Sequence, residues 1–152
     1  MPEKATIQRA RRDARQGKSS STQAGEFVRE EIDHIREGKH GARSAKQAIA
    51  IGLSKARRAG VALPPPAKGK TSSATRRKAK SDLAKGRAGK KPSTKRSRAR
   101  VKALRKEGHG AASKRALSRQ ARQAARHRSP AERSRAAHKA ARTRRHTHKM
   151  AA

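Results

Sequence analysis

The chain has 152 residues, 44 of them Lys or Arg and only 10 Asp or Glu, giving a formal net charge of +34. Only 31% of residues are apolar, the sole aromatic is Phe27, and there is no cysteine. That excludes a disulfide framework and thiolate chemistry. It also leaves little apolar surface to offset the roughly 1–2 kcal/mol per residue of ordering a backbone. Charge of this sign and density calls for a polyanionic partner, which exchanges its condensed counterions for Lys and Arg.

Charge is unevenly spread. Residues 1–66 hold 14 of the 44 basic and 7 of the 10 acidic groups, leaving 30 and 3 for the remainder. Pro64-Pro65-Pro66 marks the divide and reads as a helix-stopping spacer. Residues 1–20 are charged and helix-permissive with few apolar side chains, so a basic, frayed N-terminal arm is expected.

Residues 21–63 carry the helical periodicity. Ala24, Phe27, Val28, Ile32 and Ile35 recur at steps of three and four, the stripe of an amphipathic helix. Ser21 or Thr22 caps its start and Gly38 ends it. Glu26, Glu30, Glu31, Asp33 and Glu37 form its expected outer face. Ser44 and Gln47 make a capping box for a second helix, whose stripe is Ala45, Ala48, Ile49, Gly52, Leu53 and Ala56. Gly52 costs about 1 kcal/mol of helix propensity against Ala, which suggests a close helix approach. Gly60 stops this helix, with Val61 or Leu63 folding back on its last turn. The expected module is an αα-hairpin with Phe27, Val28, Ile32, Ile35, Ile49, Gly52 and Leu53 as its core. A pair of helices of about 40 residues seldom stands alone, so a homodimer through the hairpin is a natural expectation.

A Pro-rich linker over 64–70 leads to a low-complexity tail, 71–152, expected to be largely disordered and conditionally helical. Ile32, Ile35, Arg36, His40, Gly41, Ala42 and Ser44 recur 69 residues later as Val101, Leu104, Arg105, His109, Gly110, Ala111 and Ser113. The choice is between a degraded copy of the hairpin turn and a chance match in biased sequence. Helices are expected over 113–127, capped by Ser113, and 130–146, opened by Ser129-Pro130-Ala131-Glu132. Overall the fold class is mainly α.

In the tail, Arg115, Arg119, Arg122 and Arg126 step by four, three and four and share one helical face. Arg135, Lys139, Arg142 and His146 repeat the spacing. Such a line of guanidinium groups matches a row of phosphates, which Arg binds bidentately; the alternative is a solvated basic run. Arg76, Arg77, Lys78, Lys90, Lys91, Lys95 and Arg96 complete the expected nucleic-acid contacts. No aromatic platform exists for single-stranded bases, and zinc-finger spacing is impossible without cysteine. Duplex DNA bound through its phosphates is the expected partner, with RNA the alternative. His138, His146 and His148 lack acidic neighbours and read as added charge rather than a metal site. His40 reads as a structural turn residue. No catalytic constellation, cofactor motif or membrane span appears. A non-enzymatic protein of the bacterial cytoplasm and nucleoid, without metal or cofactor, is the expectation.

The run Ser21-Thr22-Gln23-Ala24-Gly25-Glu26-Phe27-Val28-Arg29-Glu30-Glu31, followed by residues 36–60 from Arg36-Glu37-Gly38-Lys39-His40-Gly41 to Ala56-Arg57-Arg58-Ala59-Gly60, resembles a family of small basic bacterial proteins of unknown function. Its members are loosely labelled DNA-binding, histone-like or plasmid-stabilisation proteins. The resemblance covers residues 19–66 and implies an association with DNA. Separately, Lys90-Lys91-Pro92-Ser93-Thr94-Lys95-Arg96 is similar in composition to the basic tails of linker histones, with no winged-helix domain beside it.

Overall fold

The structure, a computed structural model, describes residues 1–90 and 92–149, without the side chains of Thr143 and residues 146–149. It is mainly helical. The α-helices among the described residues are α1 (Lys4–Arg15), α2 (Ser20–Arg36), α3 (Ala45–Arg58), α4 (Ser73–Arg87), α5 (Thr94–Leu104), α6 (Lys114–Arg126) and α7 (Pro130–Lys149), with a 3-10 turn at Gly110–Ala112. The chain divides into two compact units, Met1–Ala116 and a second beginning at Leu117.

Where the sequence suggests a frayed arm, α1 packs against α2. Thr6 and Ala10, one turn apart, are both buried, and Ile7 joins the core beside them. Asp13 on the same side is buried too, held by Lys18 at 2.7 Å. Arg9 Nε donates to Glu26 of α2 at 2.6 Å. A stripe of Thr, Ala and Asp is too small and polar to register as amphipathic, yet it permits close approach to α2.

The expected hairpin is α2 and α3. Ser19, just upstream of the expected caps, receives the Thr22 amide at 3.4 Å. Ala24, Phe27, Ile32 and Ile35 are buried, and Val28 is half-buried. Because α1 and α3 both pack on α2, its apolar stripe is wider than one face. The acidic outer face therefore requires correction: Glu30 and Glu31 are buried, at 4% and 0% exposure. Gly38, with φ +74°, ends α2 with the paired closing bonds of a left-handed cap, Gly38 N to Ile35 O and Lys39 N to His34 O. Ser44 caps α3 through the Gln47 amide at 3.2 Å, and Gln47 Oε1 returns the favour to Arg43 N at 2.7 Å. A Cβ on Gly52 would lie 2.6 Å from the Val28 Cα, so the glycine sets the α2–α3 distance. Ile49 and Leu53 are half-buried at this seam. After Gly60, the Val61 amide bonds to Ala56 O at 3.1 Å. Val61 thereby joins Ala10, Ala24, Phe27 and Ala56 in the core, with Ile7, Leu53 and Leu63 against them.

The proline segment is pinned at both ends. Arg57 donates to the carbonyls of Leu63 and Pro64, both at 3.2 Å, and Arg76 to that of Pro66 at 3.3 Å. Beyond it the expectation of a largely disordered tail finds no counterpart among the described residues, which carry α4 to α7 there. α4 packs on α3, burying Ala79 and Asp82.

The sequence recurrence has a physical counterpart. The first turn meets the second: Gly41 N bonds to Leu104 O at 2.9 Å and Ala42 N to Gly108 O at 3.1 Å. Arg36 Nε reaches Ala112 O at 3.1 Å. A Cβ on Gly41 would collide with the Glu107 carbonyl. The same 69-residue offset also relates Thr6, Ala10, Asp13 and Gly17 to Thr75, Ala79, Asp82 and Gly86. It maps the start of α1 onto that of α4 and the start of α3 onto that of α6. The duplicated block is thus a three-helix unit rather than a turn. Its second copy is built onto the first, through α4 on α3 and the 3-10 turn on α2 and α3.

The second unit holds most of α6, and α7. Ser113 receives the Ala116 amide at 3.2 Å. Ser129 and Glu132 cap α7 reciprocally, at 3.2 and 2.8 Å. No residue of α6 is buried.

Candidate nucleic-acid interface

The distribution of carboxylates determines which cations remain available to a ligand. Nine of the ten acidic residues lie in the first unit, and they are consumed internally. Glu26 pairs with Arg9, Asp13 with Lys18, Asp33 with Arg29 and Arg36, Glu37 with Lys39, and Glu107 with Arg43. Asp82, 1% exposed, takes Lys78 at 2.5 Å, the Ser54 hydroxyl at 2.7 Å and Arg58 at 3.8 Å. Burial pushes the Asp82 carboxyl up, but the hydrogen bonds from Lys78 and Ser54 and the nearby cationic charge outweigh it, and its pKa is held below the ordinary value. Burial lowers the pKa of Arg57, partly countered by Asp82.

The second unit has eleven Lys and Arg residues against one carboxylate, Glu132. On α6, Arg115, Arg119, Arg122 and Arg126 are all exposed. At 100° per residue they fall within about 60° of arc, over about 16 Å of helix. Arg122 donates to Ser118 Oγ at 3.1 Å, a hydroxyl that leaves the charge intact. Leu117 and Ala125 on the other side are half-buried, whereas Ala121 and Ala124 are exposed. On α7, Arg135, Lys139 and Arg142 are exposed. The side chains of His146 and His148 lie outside the described residues, as does Lys91.

The remaining expected contacts divide. Arg77, Lys90, Lys95 and Arg96 are exposed. Arg76 is half-buried against the proline segment and Lys78 is committed to Asp82. Spacing alone does not separate these two from their neighbours, because the buried Asp82 that captures Lys78 is one helical turn away in a stretch that reads as solvated.

A second cluster lies in the first unit. Glu31 Oε2 faces Lys55 Nζ at 2.5 Å, and Glu31 Oε1 faces His40 Nε2 at 3.3 Å. Lys55 also reaches Glu30 Oε1 at 3.3 Å. His34 Nε2 is 2.8 Å from Glu3 Oε1, and the two imidazoles meet edge to face at 6.1 Å. The hydrogen bonds from His34 and Lys39 hold Glu3 below its ordinary pKa, and Glu37 raises that of Lys39. Sequence reasoning missed this grouping by placing Glu31 outside. The available signal was Glu31-x-x-His34, two residues on one helix face, with His40 just past the glycine stop.

Fold and surface define a mainly helical polycation: the first unit carries 33 Lys and Arg against nine internally paired carboxylates, and the second eleven against one. Residues 4–68 match a family of unknown function (DUF6496). That span contains α1, α2, α3 and the pinned proline segment, the first copy of the repeat. No curated protein and no solved structure matches the chain. No helix among the described residues is long and apolar enough to cross a membrane.

Proposed function

We propose that the protein binds duplex DNA without sequence preference, by neutralising phosphates, and compacts it in the manner of a histone-like, nucleoid-associated protein of bacteria. The observation that carries this reading is the exposed stripe Arg115, Arg119, Arg122 and Arg126, in a chain of net charge +34. The guanidinium groups recur at about the spacing of successive helical turns and can each take a phosphate with two parallel donors. An isolated helix of 13 residues with no buried face is marginal in water. Phosphate binding relieves its Arg–Arg repulsion, so α6 and α7 gain helical stability on the ligand.

The first unit acts as a folded anchor whose nine carboxylates are engaged internally, and its 33 Lys and Arg leave it cationic as well. Within the chain α1 packs on α2 and α4 on α3, so a homodimer through the hairpin would join units that already carry these added helices. No enzymatic role follows from the arrangement: the surface offers cations for electrostatic contact.

The test is the salt dependence of affinity for duplexes of shuffled sequence. Phosphate neutralisation requires log affinity to fall linearly with log salt, by about 0.9 per phosphate. A total slope of magnitude about 6–10 is expected, similar for all duplexes. A shallow slope with strong preference for one sequence overturns the reading. Crosslinking in cells followed by sequencing of the bound nucleic acid separates DNA from RNA, and recovery of RNA alone would replace the DNA assignment.

A further inference from the structure

We propose that Glu31, His34 and His40 form a binding site for a divalent transition metal of the zinc class. One potential ligand atom from each residue lies within 4.8 Å of the other two. Glu31 and His34 are three apart on one face of α2, and the stop at Gly38 turns the chain back so that His40 faces them. Two imidazoles and a carboxylate are the nitrogen and oxygen donors that zinc accepts.

The surroundings supply the partners that ligands of this kind use. His40 Nδ1 lies 3.1 Å from the Gly41 carbonyl, an acceptor that takes a proton on Nδ1, so that in the neutral ring the Nε2 lone pair is directed toward Glu31. His34 Nε2 lies against Glu3 Oε1, the carboxylate that orients this ring. Lys55 holds Glu31 Oε2, leaving Oε1 for the metal. Metal ligands are oriented by just such outer partners.

Glu31 is the independent observation. Its side chain is 1% exposed, and neither carboxylate oxygen has a hydrogen-bond partner of good geometry, though Lys55 and His40 lie within ion-pair range. With Nδ1 of His40 protonated, Nε2 and Oε1 would present two lone pairs to each other at 3.3 Å. A cation between them converts that repulsion into coordination. Nor does the overall charge exclude a cation here. Two further carboxylates adjoin the cluster, Glu3 against His34 and Glu30 against the same Lys55 that meets Glu31.

The second copy of the repeat provides an internal control. At the 69-residue offset His40 corresponds to His109, but Glu31 and His34 correspond to Arg100 and Ala103. His109 therefore lacks a partner set.

The experiment is a titration of the full-length, chelator-washed protein with Zn²⁺, followed through the ring resonances of its seven histidines. Saturation at one Zn²⁺ per chain with shifts at His34 and His40, and none at His109, is expected. Calorimetry on H34Q and H40Q should show affinity lowered by at least about 100-fold, and on E3Q by about 10–100-fold, the usual effect of losing an orienting partner. The tail triple H138Q/H146Q/H148Q should bind as the parent does, and circular dichroism checks that each variant keeps its helices. Should H34Q or H40Q fail to fold, the ring shifts of the unaltered protein still decide. Shifts confined to the tail histidines, or no saturable binding, overturn the proposal and leave the cluster a histidine–carboxylate clasp.

Discussion

Replacing Arg115, Arg119, Arg122 and Arg126 together by Gln removes four exposed charges and little else. Gln and Arg have nearly equal helix propensity, and α6 buries no residue, so neither helix nor core is directly perturbed. None of the four pairs with a carboxylate among the described residues, so each is available to a phosphate. At about 0.9 per contact, the slope of log affinity against log salt should shrink by about 3–4. The two binding curves should converge toward high salt, where the electrostatic contribution vanishes. The matched control is K18Q/K78Q, which removes charges already occupied by Asp13 and Asp82. Per residue removed, its slope change should be less than half that of the α6 variant. Fluorescence anisotropy of a short labelled duplex, titrated between about 50 and 200 mM KCl, reads both. Equal change per charge in the two variants would refute the reasoning, because net charge alone, and not the α6 face, would then drive binding.

Other consequences follow from individual contacts. Gly52→Ala gains about 1 kcal/mol of helix propensity but forces apart two backbones at the Val28 contact; overpacking of this kind costs about 1–3 kcal/mol, so a thermal melt should show a lower midpoint. Asp82 has a depressed folded pKa, so its stabilising contribution is complete above the unfolded value of about 3.9 and is lost as pH falls through the folded one. Asp82→Asn should therefore destabilise the protein by about 1.5–3 kcal/mol at neutral pH and flatten the acid limb of a stability-versus-pH curve; an unchanged limb would mean that another carboxylate governs it. Ile32→Asp places a charge in the α2 core and should abolish the protected amides of α2 and α3, while the salt slope of DNA binding stays within about 1–2 of the parent. In hydrogen exchange without ligand, α2 and α3 should be protected and α6 and α7 should exchange fast, slowing when DNA is added; equal protection throughout would contradict the role given to phosphates.

The hairpin was legible because its core is built from large apolar residues at helical spacing and its ends from residues with one conformational purpose. Phe27, Ile32 and Ile35 mark a face, and Ser44, Gly38 and Gly60 mark ends. The α1 helix was not legible because its buried face is Thr6, Ala10 and Asp13, residues whose burial depends on a neighbour that approaches closely. The same blindness hid Glu30 and Glu31. A carboxylate reads as exposed until the lysine that meets it, here Lys55 on α3, is placed opposite by the fold. The status of Lys78 was hidden for the same reason, since Asp82 becomes a captor only once α4 docks on α3.

The repeat joins these strands. In the first copy Phe27 is a core residue, with Leu53 packed against the core and Ile49 half-buried; at the 69-residue offset the second copy has Arg96, Arg122 and Ser118. Glu31 becomes Arg100, and Gly52, the point of closest helix approach, becomes Ala121. Each change removes a reason for the second copy to close on itself: the large apolar anchors, the buried carboxylate, the glycine contact. What persists is what the second copy needs in order to attach to the first, Ala79 and Asp82 on α4 and the His109-Gly110-Ala111 turn. A repeat copy that keeps its attachment points while exchanging core for guanidinium groups has lost the means to close on a core of its own. At positions that the first copy uses to fold it carries exposed charge instead, as Arg96, Arg100 and Arg122.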